Sequence, residues 1–116
     1  VAESIMVMPL LGTIDAQRAQ DIVEAVLHEA QTSRARVVII DITGLRRVDD
    51  IAVSLLLRAP RALRLLGSQT ILTGMRPDVA RAMVQMGADL SSLHTRANLK
   101  TGIAYATELV RTGGRG

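Results

Sequence analysis

Residues 36–66 read RVVIIDITGLRRVDDIAVSLLLRAPRALRLL. The opening RVVIID is apolar without alternation, as in a strand covered on both faces of a sheet. GLRRVDD is a charged turn. The remainder carries apolar residues at helical spacing and predicts a helix over 51–66, stopped by Gly67. This unit carries Asp41, Asp49 and Asp50 to the carboxyl end of the strand and the start of the helix. In open α/β sheets, ligands and partners dock at that end.

Upstream, residues 4–11 read as a strand, and Pro9, which cannot donate to a ladder, places it at an edge. Asp15 suits the N-cap of a helix over 16–31. Ala19, Ile22, Val23, Val26, Leu27 and Ala30 form its inner stripe, with Arg18, Asp21, Glu24 and His28 opposite. The central strand spans 35–42. Pro60 removes one helical hydrogen bond from the next helix and predicts a kink near 56–60. Residues 68–73 form another strand. Pro77 and Asp78 open a short helix with an inner stripe of Val79, Met83 and Met86, closed by Gly87. Residues 88–95 hold at most a short strand, around 92–94. Asn98 or Thr95 caps a last helix with Leu99, Ile103, Ala106 and Val110 inward. The order predicts an α/β fold: a small mixed, partly parallel sheet flanked by about four helices. One domain spans 1–112, with 113–116 as a disordered tail. The absence of an initial Met raises the expectation of an upstream sensor domain.

Composition removes several function classes. The 116 residues include no cysteine, which excludes disulfides and thiolate chemistry. No apolar run reaches a membrane span of about 18 residues, so the expected compartment is the cytoplasm, without direct membrane contact. The net charge is only +3, the arginines are scattered, and Tyr105 is the lone aromatic. Without a stacking platform or recognition helix, nucleic acid is not an expected partner. His28 and His94 are far apart in sequence, and neither reads as a metal ligand or catalytic base. Phosphate-loop, dinucleotide and nucleophile-elbow patterns are missing. A phospho-receiver site needs an acidic pair after the first strand, where Gly12 and Thr13 stand instead. The expectation is therefore no enzyme, no cofactor and no metal.

The acidic turn and its helix remain. Asp41 and Asp49 fit turn carboxylates that accept backbone N–H bonds. Asp50 stands at the helix start, where the helix dipole favours negative charge by about 0.3–1 kcal/mol. A projection at 100° per residue puts Asp50, Ser54, Arg58, Arg61 and Arg64 on one face. Ala52, Leu55, Leu56, Ala59, Leu63 and Leu66 fall on the other, as core. Leu57 and Leu65 fall within the polar face, and apolar side chains framed by arginines resemble an interface. The candidate partner-binding residues are Asp49, Asp50, Ser54, Leu57, Arg58 and Arg61, followed by Arg46 and Arg47.

PLLGTID (9–15), DITGLRRVD (41–49), LLG (65–67) and TGMRPDVA (73–80), with Gly87 and Asp89, resemble a STAS domain, above all that of RsbR-type stressosome proteins. The resemblance implies a non-catalytic regulatory domain of the anti-sigma-factor-antagonist kind, controlled by phosphorylation. It implies as partners a switch-type serine kinase or anti-sigma factor, or other STAS proteins in a homo-oligomer or stressosome assembly. In that family a serine or threonine directly follows the aspartate of the turn and accepts phosphate. This chain has Asp50 there, and the position of a second acceptor falls on Ala82. Neither can be phosphorylated. An aspartate carries one negative charge against about −1.5 to −2 for a phosphoserine, and Arg46 and Arg47 are near enough in sequence to pair with it. The alternatives are the STAS domain of a sulfate or anion transporter, or a nucleotide- or lipid-binding STAS module.

Overall fold

The computed structural model describes residues 4–87 and 93–113. Its elements are β1 (Ile5–Pro9), α1 (Ala16–Ser33), β2 (Val37–Asp41), α2 (Asp50–Leu65), β3 (Gln69–Thr73), α3 (Pro77–Gln85), β4 (His94–Arg96) and α4 (Leu99–Arg111). The strands lie in the order β1-β2-β3-β4. Each neighbouring pair is parallel, so the described sheet is parallel throughout rather than mixed. The α/β fold with four flanking helices is as expected, and Pro9 does lie on an edge strand. The short fourth strand sits at 94–96. Ser92, Asp89 and residues 114–116 of the expected tail lie outside the described residues.

The lack of alternation in β2 has a direct structural cause. Val38, Ile40 and Ile42 join the large core beneath α1, α2 and α3, while Val37 and Ile39 join the smaller one beneath α4. Each residue from Val37 to Ile40 is at most 3% exposed. Fully burying an aliphatic side chain is worth about 1.5–3 kcal/mol, so this strand anchors both layers.

The helix ends follow local chemistry. The Asp15 carboxylate accepts from the Arg18 amide at 2.8 Å, and Arg18 Nη1 donates to the carbonyls of Leu11 and Thr13. Asn98, not Thr95, caps α4 through a reciprocal capping box with Thr101. The second helix starts one residue earlier than expected, because Asp49 rather than Asp50 is its cap. α2 is continuous through Pro60.

Inward assignments change in three helices. Leu66 is 47% exposed and Met86 is 44% exposed, since each follows the last turn of its helix and leaves the helical projection. In α4 the buried positions are Gly102, Ala106 and Leu109, whereas Leu99, Ile103 and Val110 flank the stripe half-buried. Gly102 explains that rotation. A Cβ added there would stand 2.3 Å from Thr73 Cγ2 and 3.8 Å from Ile39 Cγ2, so the bare backbone sets how closely α4 approaches the sheet. Thr73 cannot rotate away freely, because its Oγ1 is hydrogen-bonded to Asp41.

Gly102→Val therefore destabilises the domain by about 1–3 kcal/mol despite the gain in helix propensity. Urea unfolding monitored by far-UV circular dichroism should show the lower midpoint with an unchanged slope.

Candidate functional site

Every parallel strand delivers its carboxyl end to the same edge of the domain, and the β2–α2 loop lies there. Its base is a single carboxylate with a structural task. Asp41 Oδ1 accepts from Thr73 Oγ1 at 2.7 Å and from Thr43 Oγ1 at 3.1 Å, tying β2 to its register partner on β3. The loop is then clamped from two sides. On one side Gly12 N–H donates to Gly44 O at 2.9 Å, and Arg46 N–H donates to Gly12 O at 2.8 Å. On the other, Arg76 donates to Leu45 O, and Ile42 N–H donates to Thr73 O at 2.9 Å. The φ of +80° at Gly74 brings its backbone against Thr43, so that a Cβ there would lie 2.8 Å from Thr43 N.

The two aspartates at the helix start have different environments. Asp49 is half-buried, and its carboxylate accepts from the Ala52 amide at 2.9 Å. This is N-cap chemistry, and it occupies a residue expected to touch a partner. Asp50 is the first residue of α2 and is exposed. The expected pairing of Arg46 or Arg47 with Asp50 does not form. The ion pairs among the described residues join Arg76 to Asp78 at 3.1 Å and Arg111 to Glu108. Arg46 and Arg47 are exposed beside the aspartates.

The single interaction face predicted for α2 divides into two flanks. Asp50, Ser54 and Arg58 border a shallow depression against the start of α1, with Ala16 and Gln20. Leu57, Arg61 and Arg64 turn toward β3 and β4 instead. Leu57 is half-buried and packs on the main core, so it is not the exposed anchor expected from the projection. Leu65 does stand out from the helix, at 88% exposed. Ala82 sits half-buried on α3, against the core.

One cluster escapes sequence reasoning. Tyr105 Oη lies 3.2 Å from His94 Nδ1, their rings meet edge to face at 5.3 Å, and the Arg96 guanidinium stacks over Tyr105 at 3.7 Å. Such stacking is a cation–π contact. No local spacing announces it, because it forms only once α4 crosses the sheet beside β4. Burial holds the His94 imidazole below its ordinary pKa, with smaller contributions in the same direction from Arg96 and Arg64. The Arg76 hydrogen bond holds the Asp78 carboxyl below its ordinary range. Among the described residues, no three His, Asp or Glu side chains converge into a metal-sized group, and no helix is long and apolar enough to cross a membrane.

Comparison with known proteins gives this arrangement relatives. The family model for the STAS domain matches residues 1–102. The RsbT co-antagonist protein RsbRA of Bacillus subtilis (strain 168) is 43% identical over 109 residues, which are 94% of this chain and 40% of RsbRA. The chain thus spans about two-fifths of that relative's length. A solved RsbS variant from Moorella thermoacetica superposes with a TM-score of 0.83 at 31% identity, covering 95% of this chain and 93% of that one. A chain from a structure describing the molecular architecture of the stressosome, a signal integration and transduction hub, superposes with a TM-score of 0.80 at 27% identity, covering 96% of both.

Two outcomes follow from the site's chemistry. Asp49→Ala lowers stability by about 1 kcal/mol, while Asp49→Asn, which keeps a capping oxygen, stays within a few tenths of wild type in chemical denaturation. For His94, a folded pKa below the ordinary 6.5 means that the unfolded chain binds the proton more readily. Its contribution is intact above about pH 6.5 and is lost as pH falls toward the folded value. Thermal midpoints measured across that range should decline less steeply in His94→Gln than in wild type.

Proposed function

The chain belongs to the STAS domain family, and from that premise we propose that it is a non-catalytic regulatory domain of the RsbT co-antagonist kind, working in the cytoplasm. It binds a switch-type serine kinase such as RsbT, or other STAS domains in a homo-oligomer or stressosome-like assembly, through the tip formed by the β2–α2 loop. The observation that carries this reading is Asp50: an exposed carboxylate on the first residue of α2, raised on a loop whose backbone is fastened from both neighbouring turns.

Position matters because of what the family places there. The resemblance puts a phosphorylated hydroxyl at this point, beside amides that favour anions. Aspartate supplies a permanent negative charge of smaller size, with fewer acceptor oxygens than a phosphate. Ala82 likewise takes no phosphate at the second position. In this reading the domain does not switch by modification at either place; it holds one binding state. Asp50, Ser54 and Arg58 form the contact flank next to α1, with Arg46 and Arg47 at its margin. Asp49 supports the tip from beneath as a cap. Leu57 belongs to the core, and Arg61 falls on the other flank of α2.

The reading is tested by mixing the domain with RsbT and ATP. Asp50→Arg should weaken complex formation by at least about tenfold in a sedimentation or calorimetric titration, with no more loss of stability than the about 1–2 kcal/mol that reversing a charge at a helix start costs. Asp50→Ser should acquire stoichiometric phosphate at the substituted position, detectable by mass spectrometry, while wild type acquires none. Equal binding by wild type and Asp50→Arg refutes the tip as the contact. Phosphate on Ser54 or Thr43 of the wild type shows that the switch has been relocated, not lost.

A further inference from the structure

A second site lies at the other end of α2. The helix runs from the carboxyl edge of the sheet to the amino edge, where β3 begins. There the C-terminal half of α2 and the leading ends of β3 and β4 enclose a cleft of about 80 Å³. A water needs roughly 10–15 Å³ of such space, so the cleft has room for a few waters or one phosphate-sized group.

One wall residue carries an unpartnered polar atom: Thr70 is 6% exposed, yet its Oγ1 makes no hydrogen bond. Pairing between β3 and β4 starts only at Ile71 with His94, so Gln69 and Thr70 extend past the end of the neighbouring strand. Ser68, also in the wall, has its need met by the carbonyl of Ala35 at 2.7 Å. Buried polar atoms are nearly always satisfied, and an orphaned hydroxyl destabilises the fold.

Two guanidinium groups stand at the mouth of the cleft. Arg61 and Arg64 form the outer rim, His94 stands across from them, and no carboxylate of the described residues lines the cleft. Arg64 in the last turn is accounted for by the helix dipole. Arg61 is not, and the like charge of Arg64 three residues on disfavours it. The dipole also leaves the buried hydroxyl of Thr70 unexplained.

We propose that this cleft binds a small oxyanion, phosphate- or carboxylate-sized, with Arg61 and Arg64 clasping its charged oxygens and Thr70 Oγ1 donating to it from the buried wall. Guanidinium forks match the geometry of both oxyanions. The cleft and the Asp50 tip sit at opposite ends of the same helix, so this inference does not depend on the partner-binding reading.

The test is a ¹H–¹⁵N NMR titration of the ¹⁵N-labelled domain with inorganic phosphate, and separately with acetate, at constant ionic strength set by chloride. At least one of the two should produce saturable shifts in the low-millimolar range at Gln69, Thr70 and His94. Which anion saturates identifies the preferred class. Arg61→Gln combined with Arg64→Gln should abolish those shifts. Thr70→Val should weaken binding by about tenfold, and its thermal midpoint in chloride buffer should equal or exceed that of wild type, because the substitution removes an unpartnered hydroxyl. The inference is overturned by linear, unsaturated shifts with both anions, by saturable shifts that survive the double arginine substitution, or by a lowered midpoint in Thr70→Val.

Discussion

Burial of β2 from both sides is the constraint on which this domain rests. Val37 to Ile40 contribute alternately to two cores, so the strand cannot slip by one residue without exchanging every side chain between layers. Its end at Asp41 is then fixed in space. From there the carboxylate bridge to Thr73 and Thr43, and the amide links to Gly12 and Gly44, fix the loop that follows. The position of Asp50 derives from that chain of fixations, not from any contact of its own.

Much of this was legible in the sequence because it rests on short-range chemistry. Asp15 and Asn98 cap helices for reasons contained within three or four residues, and the unbroken apolar run of β2 has one natural interpretation in a layered α/β fold. The acidic turn was legible as a place, though the division of labour within it was not. Asp49 and Asp50 are adjacent carboxylates, and only the one-residue placement of the helix start decides which accepts an amide hydrogen and which meets solvent.

Other features depend on what neighbouring elements do. A helical projection assumes one solvent side, yet α2 is bordered by α1 on one flank and by the β3–β4 edge on the other. Leu57 is covered there, and Arg58 and Arg61 diverge. Leu66 and Met86 were misplaced because periodicity says nothing about a residue just past the last turn. The grouping of His94, Arg96 and Tyr105 comes from two elements meeting across the sheet, and the burial of the unpartnered Thr70 hydroxyl comes from the elements packed around it. Neither leaves a trace in local spacing.

The two outermost strands carry a consequence for how copies of this domain can associate. Open sheet borders invite another chain to add on and propagate. Here one border carries Pro9, which has no hydrogen to offer, and the opposite border is a strand of only three residues, His94–Arg96. Neither supports a long intermolecular ladder. Ordered assembly of this chain is thereby steered to helix surfaces and loops, where side chains choose the neighbour, and runaway fibre-like stacking is discouraged by the backbone itself.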